Sequence, residues 1–164
     1  MRPTPLLPAP GAESVWDYPR PPRLEPAGRR IVVVFAGVTV ADSTRALRVL
    51  ETSHPPTYYL PPDEVDMSCL RAAGGGSYCE WKGSASYWDV VASGNTAQRA
   101  AWSYAAPSPP FTRLAGHLAF YCAAMDRCSV DGEVASPQPG GFYGGWVTSW
   151  VTGPYKGAPG TLGW

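Results

Sequence analysis

Turn signals recur so often along this chain that its apolar runs stay short, and that punctuation restricts the fold more than any other feature. The 164 residues include 18 glycines and 19 prolines. Glycine weakens helix and strand interiors, and proline lacks the amide hydrogen that both ladders need. The stretch "IVVVFAGVTVADS" (31–43) is two β-rich runs around Gly37, the pattern of a hairpin. "TRALRVLETS" (44–53) holds good helix formers, yet Leu47, Val49 and Glu51 alternate with Ala46, Arg48 and Leu50, and the neighbouring strands favour a strand. "TYYLP" (57–61), "SYCEWKG" (77–83), "SASYWDVV" (84–91), "AAWSYAAP" (100–107) and "HLAFYCAAM" (117–125) continue the series, with turns at "SGNT" (93–96) and at the Asp-Gly of "VDGEV" (130–134). In the last of these strands Leu118, Phe120 and Cys122 fall on one face, and His117, Ala119 and Tyr121 on the other. One short helix is expected in "PPDEVDMSCLRAAGGG" (61–76), where proline and two acids suit a first turn and three glycines an end. Short strands without βαβ alternation predict a mainly antiparallel β domain.

The ends differ in character. Residues 1–14 read as a loose N-terminus and 15–30 as a proline-rich strap anchored by Trp16 and Tyr18, although such a segment can also be a ligand for another protein. Residues 31–135 read as the core domain, and 136–164 as a glycine- and aromatic-rich strap packed on it.

Charge excludes some functions. Thirteen basic and thirteen acidic side chains balance, which is not the footprint of a nucleic-acid binder. The longest apolar run, Ile31 to Val40, is too short to span a bilayer, so no membrane partner is expected. "MRPTPLLPAPGAE" lacks the apolar centre of a signal peptide, and four unpatterned cysteines then suggest reduced thiols and a cytoplasmic protein.

Chemistry concentrates in "SYCEWKGSASYWDV" (77–90). Lys82 and Lys156 are the only lysines of the chain, and Lys82 sits among tryptophans and tyrosines. Read as a continuous strand, the stretch turns Cys79, Trp81 and Gly83 one way and Glu80, Lys82 and Ser84 the other. Cys79 has charged sequence neighbours but shares its face with Trp81, which favours a small buried hydrophobe over a nucleophile. No Gly-Lys-Ser/Thr phosphate loop or Gly-x-Ser-x-Gly elbow is present. The candidate metal ligands Cys69, Cys79, Cys122, Cys128, His54 and His117 lack the short spacing of a zinc knuckle, so neither metal nor cofactor is expected. Cys122 and Cys128 could meet across a turn, and a reduced pair is the expectation there.

The blocks "VADSTRALRVLETSHPPTYYLPPDEV", "SYCEWKGSASYWDV", "AAWSYAAP" and "GHLAFY" resemble, in order and spacing over about residues 31–133, the signature blocks of the family known as domain of unknown function 427, also labelled a nucleotidyltransferase family. The "VWDYPRPPR" start and the aromatic end resemble extensions of its actinobacterial members. The resemblance implies a β-tent-like fold, two antiparallel sheets meeting at an angle over a cleft. Many such tents are pinned by zinc on paired Cys-x-x-Cys motifs, which this chain lacks. The family's recurring polar and aromatic positions correspond here to Arg45, Glu51, Tyr58, Tyr59, Trp81, Lys82, Tyr87, Trp102, Tyr104 and Tyr121. The nucleotidyltransferase label has no support in the motifs, because phosphoryl transfer needs paired metal-binding carboxylates and a phosphate cradle.

Three readings follow. In the first, the domain binds a small polar or cyclic metabolite: Arg45 and Lys82 meet an anionic or carbonyl group, Glu51 is their counter-charge, and Tyr58, Tyr59, Trp81, Tyr87, Trp102, Tyr104 and Tyr121 form an aromatic pocket. In the second it is an enzyme, with Lys82 as nucleophile or base and Glu51 or Tyr104 as proton shuttle. In the third the straps form a protein-interaction surface. A homodimer is compatible with all three.

Overall fold

The computed structural model describes residues 2–164, and these are mainly β, with helical geometry confined to single 3-10 turns. The strands of the first half are β1 (Glu13–Ser14), β2 (Arg23–Pro26), β3 (Ile31–Phe35), β4 (Val38–Ser43), β5 (Leu47–Leu50), β6 (Thr57–Tyr59) and β7 (Leu70–Cys79). Those of the second are β8 (Gly83–Ala92), β9 (Asn95–Ser103), β10 (Ala119–Phe120), β11 (Arg127–Val130), β12 (Glu133–Val134), β13 (Ser136–Pro137), β14 (Trp146–Val147) and β15 (Val151–Thr152).

Two antiparallel sheets of four strands, ordered β12–β11–β3–β4 and β10–β9–β8–β7, carry the main core. A third sheet, β2–β5–β6, continues from the second through reciprocal 2.8 Å backbone hydrogen bonds between Leu60 and Leu118. Turn chemistry explains the hairpins. Ala36–Gly37, Ser93–Gly94 and Asp131–Gly132 all have positive φ at both positions, the geometry whose twist matches paired strands. These are the turns the sequence predicts at Gly37, "SGNT" and "VDGEV". The strand expected in "TRALRVLETS" is β5, and the faces expected around Phe120 hold: Leu118, Phe120 and Cys122 pack in one apolar cluster, Ala119 and Tyr121 in another.

The helix expected over residues 61–76 does not form. Pro62–Glu64 and Met67–Cys69 are separate 3-10 turns, the second capped by Asp66, which accepts the Ser68 amide hydrogen at 3.1 Å. From Leu70 the chain is strand, and its three glycines lie in β7 at a bulge against β8. β8 passes so close there that a methyl group on Gly76 would sit 2.7 Å from the Ala85 carbonyl oxygen. Strand pairing outweighs the helix-start signal. The strand expected over "SYCEWKG" is also interrupted: Cys79 pairs with Gly83, and Glu80, Trp81 and Lys82 are the hairpin turn between β7 and β8. The alternating faces assigned to them therefore do not apply.

The two chain ends close on each other. β1 pairs in parallel with β15, and the Trp16 indole donates to the Pro154 carbonyl at 2.9 Å while its ring meets Trp164 edge-on. Farther in, Trp146 of β14 fills the main core. It is 1% exposed, lies against Tyr58, and donates from Nε1 to the Phe120 carbonyl at 3.0 Å. Trp146→Ala should cost about 3–5 kcal/mol in urea unfolding. Trp146→Phe keeps most of the packing but leaves the Phe120 carbonyl unpaired, and should cost about 1–3 kcal/mol. Equal stability of all three proteins would contradict this placement.

Candidate functional site

Between the β7–β8 turn, the end of β5 and the C-terminal strap lies a cleft of about 340 Å³. Its first wall is the hairpin turn. Gly83 follows that turn at φ +96°, packed against the Ser108 side chain, and the Ser108 amide donates to the Lys82 carbonyl at 3.1 Å. This anchors Trp81 and Lys82 at the cleft. The Lys82 ammonium lies 5.8 Å from the centre of the Tyr104 ring, within cation–π range.

The floor is aromatic. Trp102 of β9 meets Tyr59 edge-on and Tyr121 at a tilt, with centroids 4.5 Å apart in the second pair. Its indole N–H donates to the Tyr59 hydroxyl at 3.4 Å. Burial pushes the phenols of Tyr59 and Tyr104 well above the usual tyrosine range, and that of Tyr121 up to about 12. All three stay protonated at neutral pH. They offer ring faces, the Tyr121 hydroxyl already donates to the Phe142 carbonyl at 3.2 Å, and Tyr104 is unsuited to shuttling protons as a phenolate.

The remaining wall was not assigned from the sequence. Gln138, 2% exposed, accepts the Gly145 amide hydrogen on Oε1 at 3.1 Å and donates from Nε2 to the Lys156 carbonyl at 2.8 Å. Those backbone partners fix the orientation of the amide. Its nitrogen therefore faces His54 Nδ1, 2.9 Å away, and Nδ1 must accept. The imidazole proton then sits on Nε2, which lies 3.6 Å from Glu51 Oε2. Tyr143 packs edge-on against the same imidazole at 4.7 Å. Gly144 lies so close to Trp102 that a side chain there would overlap the indole ring. Lys156, the second of the two lysines, lines the cleft from this wall.

Of the residues expected at a site, Glu51, Tyr59, Trp81, Lys82, Tyr87, Trp102, Tyr104 and Tyr121 line this one cleft. Two do not. Arg45 is on the surface, held by Asp63 at 2.7 Å and Glu64 at 3.5 Å. Tyr58 points into the core against Trp146 and borders a separate hollow with Arg48 and Trp150. Tyr58 and Tyr59 are neighbours on β6, so alternation sends only one of them to the cleft. Glu51 is occupied by Arg20 at 3.2 Å, and no ion pair joins it to Lys82. The four cysteines are free, and among the described residues no three His, Cys, Asp or Glu side chains converge as a metal-binding group. No described helix is long and apolar enough to cross a membrane.

A larger hollow of about 480 Å³ adjoins the cleft across the 141–145 segment. Its one cation, Arg99, is already bound to the Gly74 carbonyl and stacked on Tyr87 at 4.2 Å. Both lysines and the His54 imidazole line the smaller cleft, which makes it the better candidate.

Residues 23–131 match the model of a family described as Domain of unknown function (DUF427). The chain belongs to the DUF427 family. No curated protein matches it. The DUF427 segment contributes the β7–β8 turn, the aromatic floor, Glu51 and His54, whereas Gln138, Tyr143, Gly144 and Lys156 lie beyond it. The cleft of this DUF427 protein is thus completed by its own C-terminal strap.

His54 gives the site a pH signature. Burial lowers its pKa from 6.5 to about 4, and the charges of Lys156 and Arg20 push the same way. Between these values the unfolded chain binds a proton that the folded chain excludes, so stability is full above about pH 6.5 and declines toward about pH 4. Wild type should lose about 3 kcal/mol from this group across that window. In His54→Gln, urea midpoints should show a correspondingly shallower pH dependence. Identical slopes for both proteins would remove the assignment.

Proposed function

We propose that this domain binds a small cyclic metabolite in the cleft between the β7–β8 turn and the C-terminal strap. The observation that carries this reading is convergence. Rings from the turn (Trp81), from β9 and the segment after it (Trp102, Tyr104) and from the end of β10 (Tyr121) meet around one hollow of about 340 Å³, at the lower end of the ligand-pocket range. The same hollow holds Lys82, Lys156 and His54. Ring faces sandwich a flat ligand, and a few fixed polar groups orient it.

An enzymatic reading with Lys82 and Glu51 as the reacting pair has less support. Arg20 occupies the Glu51 carboxylate, and Lys82 is directed to the Tyr104 ring. A protein-interaction reading draws on the exposed rings of Tyr78 and Phe142, but both line the rim of the same cleft and serve a ligand equally well.

A thermal-shift screen of a metabolite library should find compounds that raise the melting temperature of wild type, since a native-state ligand at a hundredfold excess over Kd adds about 2.7 kcal/mol. Trp81 is on a turn and half-buried, so Trp81→Ala should fold and lose those shifts. Hits that stabilise both proteins equally would move the site elsewhere, and a library with no hits would count against binding.

A further inference from the structure

The chain has two lysines, and both line the same cleft. They are far apart in sequence, one on the β7–β8 turn and one on the strap beyond β15. Neither pairs with a carboxylate side chain among the described residues. Several arginines behave otherwise: Arg20, Arg30, Arg45 and Arg48 are each held by Asp or Glu. Lys82 rests against the Tyr104 ring, and Lys156 against the Tyr143 ring at 5.7 Å, with one long hydrogen bond to the Trp164 carbonyl at 3.5 Å. Cation–π contacts position an ammonium group without using up its charge or all three of its donors. Two acids also line the cleft, and neither is paired with a lysine. Glu51 is engaged by Arg20, and Glu80 lies on the turn. The cleft therefore presents two positive charges, a neutral His54 donor and aromatic faces.

Resting on the binding reading above, we propose that the ligand is a ring compound carrying an anionic group, a carboxylate or a phosphate, which Lys82 and Lys156 hold jointly while the rings of Trp81 and Trp102 take the cyclic part. Burial is the main cause of the depressed basicity of His54, and Lys156, Arg20 and, least, Lys82 add positive potential at the imidazole. An anion bound there relieves it. The strap then sets ligand class, since it supplies the second cation from outside the DUF427 segment.

The test uses three probes on the full chain by isothermal titration at low ionic strength: indole-3-carboxylate, phenyl phosphate, and the neutral indole-3-carboxamide. At least one anionic probe should bind about tenfold more tightly than the amide, and 0.5 M salt should erase most of the difference. Which anion binds better distinguishes carboxylate from phosphate. Lys82→Met and Lys156→Met should each weaken the anion several-fold more than the amide. Lys82→Arg and Lys156→Arg should retain the preference, which controls for folding. Equal binding of anion and amide, both lost in Trp81→Ala, would overturn the anionic class while leaving the cleft as the site. Failure of all three probes alongside a Trp81-dependent library hit would do the same. If the library also yields nothing, both readings fall.

Discussion

One buried side-chain amide joins the two halves of the cleft. Gln138 spends its oxygen on the Gly145 amide and its nitrogen on the Lys156 carbonyl and the His54 ring. The Gln138 amide, the His54 ring and the Gly145 amide are polar and buried, so each would be costly to leave unpaired. Together they place the 141–145 segment against Trp102, hold Lys156 at the cleft and fix which imidazole nitrogen carries the proton. The close approach of Gly144 to the Trp102 ring and of Gly140 to Gly157 follows from the same seating, for neither pair leaves room for a side chain.

The cleft combines a rigid floor with a polar wall, and both properties come from burial. Tyr59, Trp102 and Tyr104 belong to a packed core cluster, so the rings that face the hollow cannot collapse into it. Burial keeps the phenols and the imidazole uncharged. The permanent charges stay at the edges, on lysines steadied by ring faces. Such a site is organised before a ligand arrives, which lowers the ordering cost of binding.

Much of the fold was legible in order along the chain. The Gly37, Ser93–Gly94 and Asp131–Gly132 turns announce themselves because positive backbone angles at paired positions demand those residue types. The alternation in "LRVLE" and around Phe120 reports face, because side chains in a strand repeat every two residues. The helix expected over 61–76 failed because its acids and glycines are local signals, and β7–β8 pairing is a non-local one of greater weight. The site was half legible. The family blocks pointed to the aromatic residues and Lys82, but they included Arg45, which its own neighbours Asp63 and Glu64 neutralise, and Tyr58, which faces the core. Gln138 carried no signal beyond being a single polar residue and His54 none beyond that of a candidate metal ligand, although the scarcity of lysine could have pointed to Lys156 as it did to Lys82.

By itself the sequence determined that this chain makes short antiparallel strands, where most of them turn, and which stretch is richest in binding chemistry. These are properties of residues within a few positions of one another, governed by backbone sterics and strand periodicity. Tertiary structure decided which of those residues share a space. Lys82 reaches the cleft on a turn, Lys156 arrives on a strap that closes through β1 and β15, and His54 takes its tautomer from a glutamine 84 residues away. Such meetings depend on the satisfaction of buried polar groups across the whole domain, and no local pattern records them.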